Sequence, residues 1–258
     1  MNYNNIIIYT FTMEEKVETK NDYKIRAVKT NKSDVPLRAS MKNGTIEKYP
    51  CSTLISGRSG SGKSCLVSNL LSREEFYGGY YHTIALFSPT ASMDDTYEGL
   101  NIPDDNIFTE FTEDTINQFL AGRKAEIAKN GVKKTVQKSR CLLIFDDIIS
   151  DRHFLGSPVT LKLFAMLRHY LCSIMILTQS YNKIPRSLRL QANGVYIFPC
   201  SRSEVEVIKD ELCPPHMTKK EFEAVLADAT AEDYAFLHIN NHAPNAKKIR
   251  KNICDKYY

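Results

Sequence analysis

From residue 49 onward, apolar positions gather into short dense runs separated by stretches with helical spacing. Tyr49–Ser56, His82–Ser88, Cys141–Phe145, Ser173–Thr178 and Gly194–Phe198 are compact runs rich in aliphatic residues. Such runs predict strands buried on both faces, the habit of a parallel sheet. Between them, three groups recur at helical spacing: Cys65, Leu66, Val67, Leu70 and Leu71; Ile116, Phe119, Leu120 and Ile127; and Leu163, Met166, Leu167 and Tyr170. The second group predicts a helix from Thr112 to about Lys129, and Ser157-Pro158 opens the third as N-cap and first-turn residue. Thr218 and Glu221 form a capping-box signature ahead of Phe222, Val225 and Leu226. Residues 92–112 read as an acidic, irregular connection. Tyr234–Asn240, a turn around Pro244 and Lys247–Asn252 read as a closing hairpin.

This alternation predicts an α/β fold in three layers around a mainly parallel sheet. Residues 14–48 are polar and pattern-poor. The expected organisation is a polar arm over residues 1–45, with Met13 as an alternative start, and one domain over 46–258. No apolar run approaches the roughly 18 residues of a membrane span. Ile6-Ile7-Ile8 is too short for a signal-peptide core. The chain therefore reads as intracellular.

Composition changes little. The 258 residues are 43% hydrophobic and 25% charged, with a net charge of +4. That balance is ordinary for a globular protein and does not by itself indicate nucleic acid. Seven cysteines without a C-x-x-C pair suit free thiols in a reducing compartment. Cys213 and His216 have ligand-like spacing but no second pair, so a turn into the following helix is the better reading.

The chemistry concentrates in Gly57-Arg58-Ser59-Gly60-Ser61-Gly62-Lys63-Ser64, a full match to the phosphate-binding loop G-x-x-x-x-G-K-[ST]. Its backbone N–H groups can cradle phosphates, Lys63 can reach the β- and γ-phosphates of ATP, and Ser64 can place its hydroxyl on Mg²⁺. The apolar run 141–145 ends in Asp146-Asp147. Behind a phosphate loop, Asp146 is the expected Mg²⁺ ligand, and Asp147 is expected to orient or deprotonate the attacking water. Gln179 closes the run Ser173–Thr178, at the edge where open α/β sheets place ligand contacts, and is a candidate γ-phosphate sensor. Arg168, at the end of the preceding helix, is a candidate arginine finger acting on a neighbouring subunit, with Arg186 and Arg189 in reserve. Residues 123–140 hold seven basic residues and one acid, Glu126. This run is a candidate track for DNA phosphates, and Lys247, Lys248, Arg250 and Lys251 form a second.

Together GRSGSGKS, CLLIFDD, LRHYLCSIMILTQS, PRSLRLQANGVYIF and YAFLHINN…KKIRKN resemble the FtsK–HerA superfamily, and within it the poxvirus-type genome-packaging ATPases. The resemblance spans roughly residues 45–253. It implies an additional-strand P-loop NTPase core, ATP hydrolysis and translocation of double-stranded DNA into a capsid. It also implies a homo-oligomeric ring, of roughly five or six subunits, partnered by capsid vertex proteins at virus assembly sites in the host cell. Position by position it implies phosphate and metal roles for Lys63 and Ser64, Mg²⁺ for Asp146, catalysis for Asp147, a trans finger for Arg168 and a sensor role for Gln179. Many members carry Glu where this chain has Asp147, which must reach its water from one methylene further back.

Two alternatives remain at this point. Asp151-Arg152-His153 resembles a signature of viral thymidine kinases, and Arg186 with Arg189 would supply the lid of such a deoxynucleoside kinase. A nucleotide-binding virion subunit without turnover is the other.

Overall fold

The computed structural model describes residues 35–91, 95–110, 112–147, 155–253 and 255–256. The strands are β1 (Ser52–Ser56), β2 (Thr83–Phe87), β3 (Ile107–Phe108), β4 (Cys141–Phe145), β5 (Cys172–Thr178), β6 (Gly194–Ile197), β7 (Leu237–Asn240), β8 (Ile249–Lys251) and β9 (Asp255–Lys256). Among the described residues they form one sheet in the order β3-β2-β4-β5-β1-β6-β7-β8-β9. The first six are mutually parallel. The last three continue antiparallel, so the closing hairpin extends the sheet.

The apolar runs are explained by two-sided burial. Cys141, Leu143 and Phe145 of β4 face one core, with Ile174 and Ile176 of β5. Leu142 and Ile144 face the other, with Met175 and Leu177. Successive side chains of a strand point to opposite faces, so a strand covered on both sides has no polar position to spare. The first face is covered by helices Glu113–Lys138, Pro158–Tyr170, Arg202–Leu212 and Lys219–Ala229. Helix Lys63–Ser72, an aromatic cluster of Phe76, Tyr77, Tyr80 and Tyr81, and Met41 and Ile46 cover the second. Packing thus begins before residue 46, while residues 1–34 of the expected arm lie outside the described residues.

Two elements depart from the periodicity. The helix expected to end near Lys129 runs to Lys138 across a kink at Gly131, whose φ of 74° lies in the left-handed region. Its final turns bury Thr135 and Val136. Arg202–Leu212 is a further helix, with a capping box between Ser201 and Glu204. The Cys213–His216 segment is a turn into the next helix, with the Cys213 thiol donating to the Met217 carbonyl oxygen at 3.3 Å.

Basic side chains hold several of these elements in place. Arg123 is 4% exposed, and its guanidinium donates to the carbonyl oxygens of Ser139 (3.1 Å) and Leu171 (2.9 Å) while pairing with Glu126. Arg140 lies over the Tyr80 ring at 4.4 Å and donates to the carbonyl oxygens of Tyr80 and Val136.

Glu47, just before β1, is fully buried against His238 of β7, with Oε1 2.8 Å from Nε2. Tyr77 and Tyr196 donate their hydroxyls to its Oε2 at 3.2 and 3.1 Å. A Cβ on Gly194 would lie 2.0 Å from Glu47 Oε1, so that carboxylate fits only against glycine. Burial alone would raise the Glu47 carboxyl, but the His238 contact and the hydroxyl donors bring it below its ordinary 4.5. Its contribution is therefore complete above that value and lost as pH falls through the lower folded one. Glu47→Ala should destabilise the fold by roughly 3–5 kcal/mol in urea unfolding at neutral pH, the scale for breaking a buried pair. The deficit should shrink on the acid side.

Candidate nucleotide-binding site

Strand β1 delivers the phosphate loop at the carboxyl edge of the sheet. Gly57 N–H donates to the Thr178 carbonyl oxygen of β5 at 3.1 Å, and Phe198 N–H donates to that of Ser56 at 2.8 Å. A Cβ on Gly57 would lie 2.4 Å from Phe198 Cβ, so the loop can pass only as glycine. Gly60 and Gly62 turn it through positive φ (74° and 96°), and Gly62 caps helix Lys63–Ser72. The N–H groups of that helix's first turn have no carbonyl partner within it, which makes this end receptive to anions.

Lys63 is 9% exposed, and its ammonium donates to the carbonyl oxygens of Gly57 (2.8 Å) and Arg58 (2.9 Å). Desolvation lowers its pKa, opposed by the charges of Asp146 and Asp147. Arg58, Ser59 and Gly60 are exposed along the outside of the loop, and Ser61 is half-buried.

Across the site, Asp146 is fixed at the end of β4, its N–H donating to the Phe87 carbonyl oxygen at 2.8 Å. Its Oδ2 accepts from Ser64 Oγ at 3.2 Å and from the Tyr97 hydroxyl at 2.6 Å. Burial pushes this carboxyl above its ordinary value, against the pull of Tyr97, Ser64 and Lys63. Ser64 Oγ and Asp146 Oδ2 are paired hard-oxygen donors. Such a set fits Mg²⁺, which takes one or two protein oxygens and completes its octahedron with phosphate oxygens and water.

Asp147 follows with φ 54°, an uncommon conformation for a residue with a side chain. Gln179 Nε2, at the tip of β5, donates to its Oδ1 at 2.8 Å. Candidate metal ligand, candidate base and candidate sensor thus stand on adjacent strand ends. With Gly60, Lys63, Thr90 and Thr96 they enclose a cavity of about 420 Å³.

Arg168 does not join them. It is exposed in the last turn of helix Pro158–Tyr170, before β5 begins. Seven residues of β5 separate that end from Gln179, about 20 Å at the usual strand rise. His242, beyond β7, shares Arg168's edge: its pKa is lowered by burial and then by the Arg168 charge. Arg189 is locked by Nε (2.8 Å) and Nη2 (2.7 Å) to the two Glu211 oxygens. Arg186 is exposed, 3.4 Å from the same carboxylate.

The basic run 123–140 does not form one open face. Arg123 and Arg140 are structural and buried, leaving Lys124, Lys129, Lys133, Lys134 and Lys138 exposed. In the tail, Arg250 is 2% exposed and Lys251 pairs with Glu232 at 2.8 Å, which leaves Lys247 and Lys248, both half-buried, of that run. Asp151-Arg152-His153 lies outside the described residues.

Sequence reasoning missed Tyr97. It belongs to the 3₁₀ turn Asp95–Leu100, within a segment read as an irregular connection. Ser68 Oγ, on the phosphate-loop helix, donates to the Thr96 carbonyl oxygen at 2.6 Å and docks that segment. Nothing in the local pattern marks a tyrosine that reaches another element.

A family model described as Poxvirus A32 protein matches residues 39–254. Among solved structures, the DNA-packaging ATPase B204 from Sulfolobus Turreted Icosahedral Virus is similar at 15% identity, over 80% of this chain and 98% of that one, with a TM-score of 0.55. The genome packaging NTPase B204 from Sulfolobus turreted icosahedral virus 2, in complex with ATP-gammaS, is similar at 14% identity over 78% and 96%, with a TM-score of 0.54. Identities this low carry the fold alone. Comparison with curated proteins gave no match.

Tyr97→Phe removes the hydroxyl that fixes Asp146. The Mg²⁺ concentration for half-maximal binding of a fluorescent nucleotide should rise about tenfold, the scale of one hydrogen bond to a charged group. Metal-free nucleotide binding should stay unchanged. An unaltered Mg²⁺ dependence would remove Tyr97 from the site.

Proposed function

The chain belongs to the Poxvirus A32 protein family, and from that footing we propose that it is the ATP-hydrolysing motor that drives double-stranded viral DNA into a capsid. The observation that carries this reading is the joint placement of Asp146, Asp147 and Gln179 on the ends of β4 and β5, facing the phosphate loop on β1. A bound nucleotide needs its phosphates held, its charge neutralised and a water aligned, and those residues supply each.

Lys63 exchanges the carbonyl oxygens of Gly57 and Arg58 for the β- and γ-phosphates. Ser64 and Asp146 would hold Mg²⁺, whose charge would offset that developing on the transferred phosphoryl group. Asp147 accepts the proton of the attacking water. Gln179 already donates to Asp147, so loss of the γ-phosphate reaches the tip of β5 through that bond. Arg168, on the far edge of its own sheet, serves a neighbouring copy in a homo-oligomeric ring. Double-stranded DNA tracks along the exposed lysines of helix Glu113–Lys138, and capsid vertex proteins anchor the ring at assembly sites inside the host cell. Among the described residues no helix is long and apolar enough to cross a membrane. The kinase alternative loses support because Arg189, half of its lid, is committed to Glu211. A subunit without turnover has no need of the assembled Lys63, Asp146, Asp147 and Gln179.

Asp147→Asn keeps an oxygen for Gln179 but cannot take the water's proton. It should bind ATP and fail to hydrolyse it. Arg168→Ala should also bind ATP, with turnover reduced on the order of 10³-fold. Mixing the two proteins should restore part of the activity, because an intact Asp147 site can then face an intact neighbouring Arg168. A mixture that exchanges subunits and stays inactive would exclude Arg168 as the finger.

Replacing Lys133, Lys134 and Lys138 together with Gln should weaken DNA binding at moderate salt. The slope of log affinity against log salt should flatten by about 0.9 per lost phosphate contact. An unchanged slope would return this face to ordinary solvated surface.

A further inference from the structure

A second cavity, of about 580 Å³, adjoins the phosphate site and shares Gly62 and Cys65 with it. Its character differs: Leu66, Phe76, Phe198, Tyr234, Phe236 and Ile253 give it an apolar and aromatic wall. Phe76, Phe198 and Phe236 are buried, and the last two pack with ring centroids 5.1 Å apart, so this part of the wall is firm. Asn69 and Asn252 add amide groups at its margin. The one lining cation, Arg73, is paired with Glu75 and lies over the Phe76 ring.

Tyr234 stands apart from the rest of the wall. It is 70% exposed, although large hydrophobic side chains are seldom left so open among the described residues. Its φ of 62° is left-handed, a conformation bulky residues rarely take. Strain of that kind persists only where surrounding structure holds it, and it clusters at ligand sites. The ring is held against the phosphate loop: a Cβ on Gly62 would lie 3.2 Å from Tyr234 Cδ1.

We propose that this cavity takes the purine base of the bound nucleotide, with Tyr234 as the stacking platform that closes over it. The inference rests on the phosphate-loop reading given above. A triphosphate seated on Lys63 and Ser64 leaves the loop at the first turn of the following helix. There the exposed side chain of Cys65 borders both cavities. A flat base entering the second cavity meets apolar and aromatic surface, and covering the open Tyr234 ring removes its face from water.

The experiment compares ATP with inorganic tripolyphosphate, which has the phosphates and no base. Wild-type protein should bind ATP the more tightly. Tyr234→Ala should lose roughly tenfold in ATP affinity, the scale of one base–aromatic stack, and keep its tripolyphosphate affinity. Tyr234→Phe should retain both. As an independent readout, ATP should shield Cys65 from iodoacetamide, followed by peptide mass, more strongly than tripolyphosphate does. Undiminished ATP affinity in Tyr234→Ala, an equal loss for both ligands, or equal shielding by both would overturn the base site while leaving the phosphate loop intact. Failure of the wild type to bind either ligand would overturn the phosphate-loop reading beneath it as well.

Discussion

The site depends on one strand, β5, which pairs with β1 on one side and with β4 on the other. Because β5 lies between them, the phosphate loop and the Asp146-Asp147 end are held a strand apart rather than abutting. The gap between their tips is where a triphosphate with its metal can sit. Gly57 N–H to the Thr178 carbonyl oxygen is the last bond between β5 and the β1 side before the loop begins, and Gln179 follows directly after β5. A shift of register would move the glutamine away from Asp147 and, because side chains alternate with period two, exchange both buried faces.

The same geometry sets the electrostatics. Lys63 and Asp146 are both withdrawn from water, each with its charged form disfavoured by burial. Neutral donors and acceptors offset part of that cost: two loop carbonyl oxygens for the lysine, a serine and a tyrosine hydroxyl for the aspartate. These partners hold both groups near the positions in which phosphate and a divalent cation would use them. On the Asp146 side little rearrangement would be left for binding, whereas Lys63 would give up its two carbonyl partners.

Along residues 123–140, positive charge divides by residue type. Arg123 and Arg140, like Arg189 outside that run, are buried and spend their planar donors on carbonyl oxygens and carboxylates, tying helices and loops to the sheet. The exposed charge of helix Glu113–Lys138 is lysine. Guanidinium is the more weakly hydrated group and suits buried forks, whereas ammonium keeps its hydration and stays outside. A count of basic residues along the sequence cannot make this distinction.

Local features are written in short stretches of the chain. The phosphate loop and the strand ending in two acids are each written within about ten residues, and the α/β alternation and the closing hairpin are built from segments of similar length, because glycine freedom, strand pleat and helical period act over that range. Family resemblance was legible for the same reason. Tertiary structure alone decided what lies between distant segments. Tyr97 reaches Asp146 across 49 positions, Gln179 reaches Asp147 across 32, and Glu47 meets His238 across 191. Which arginines are structural, which edge carries Arg168 and where an aromatic cavity opens beside the loop follow from strand order. That order is fixed by how apolar faces are buried together over the whole chain, a constraint no single stretch of residues contains.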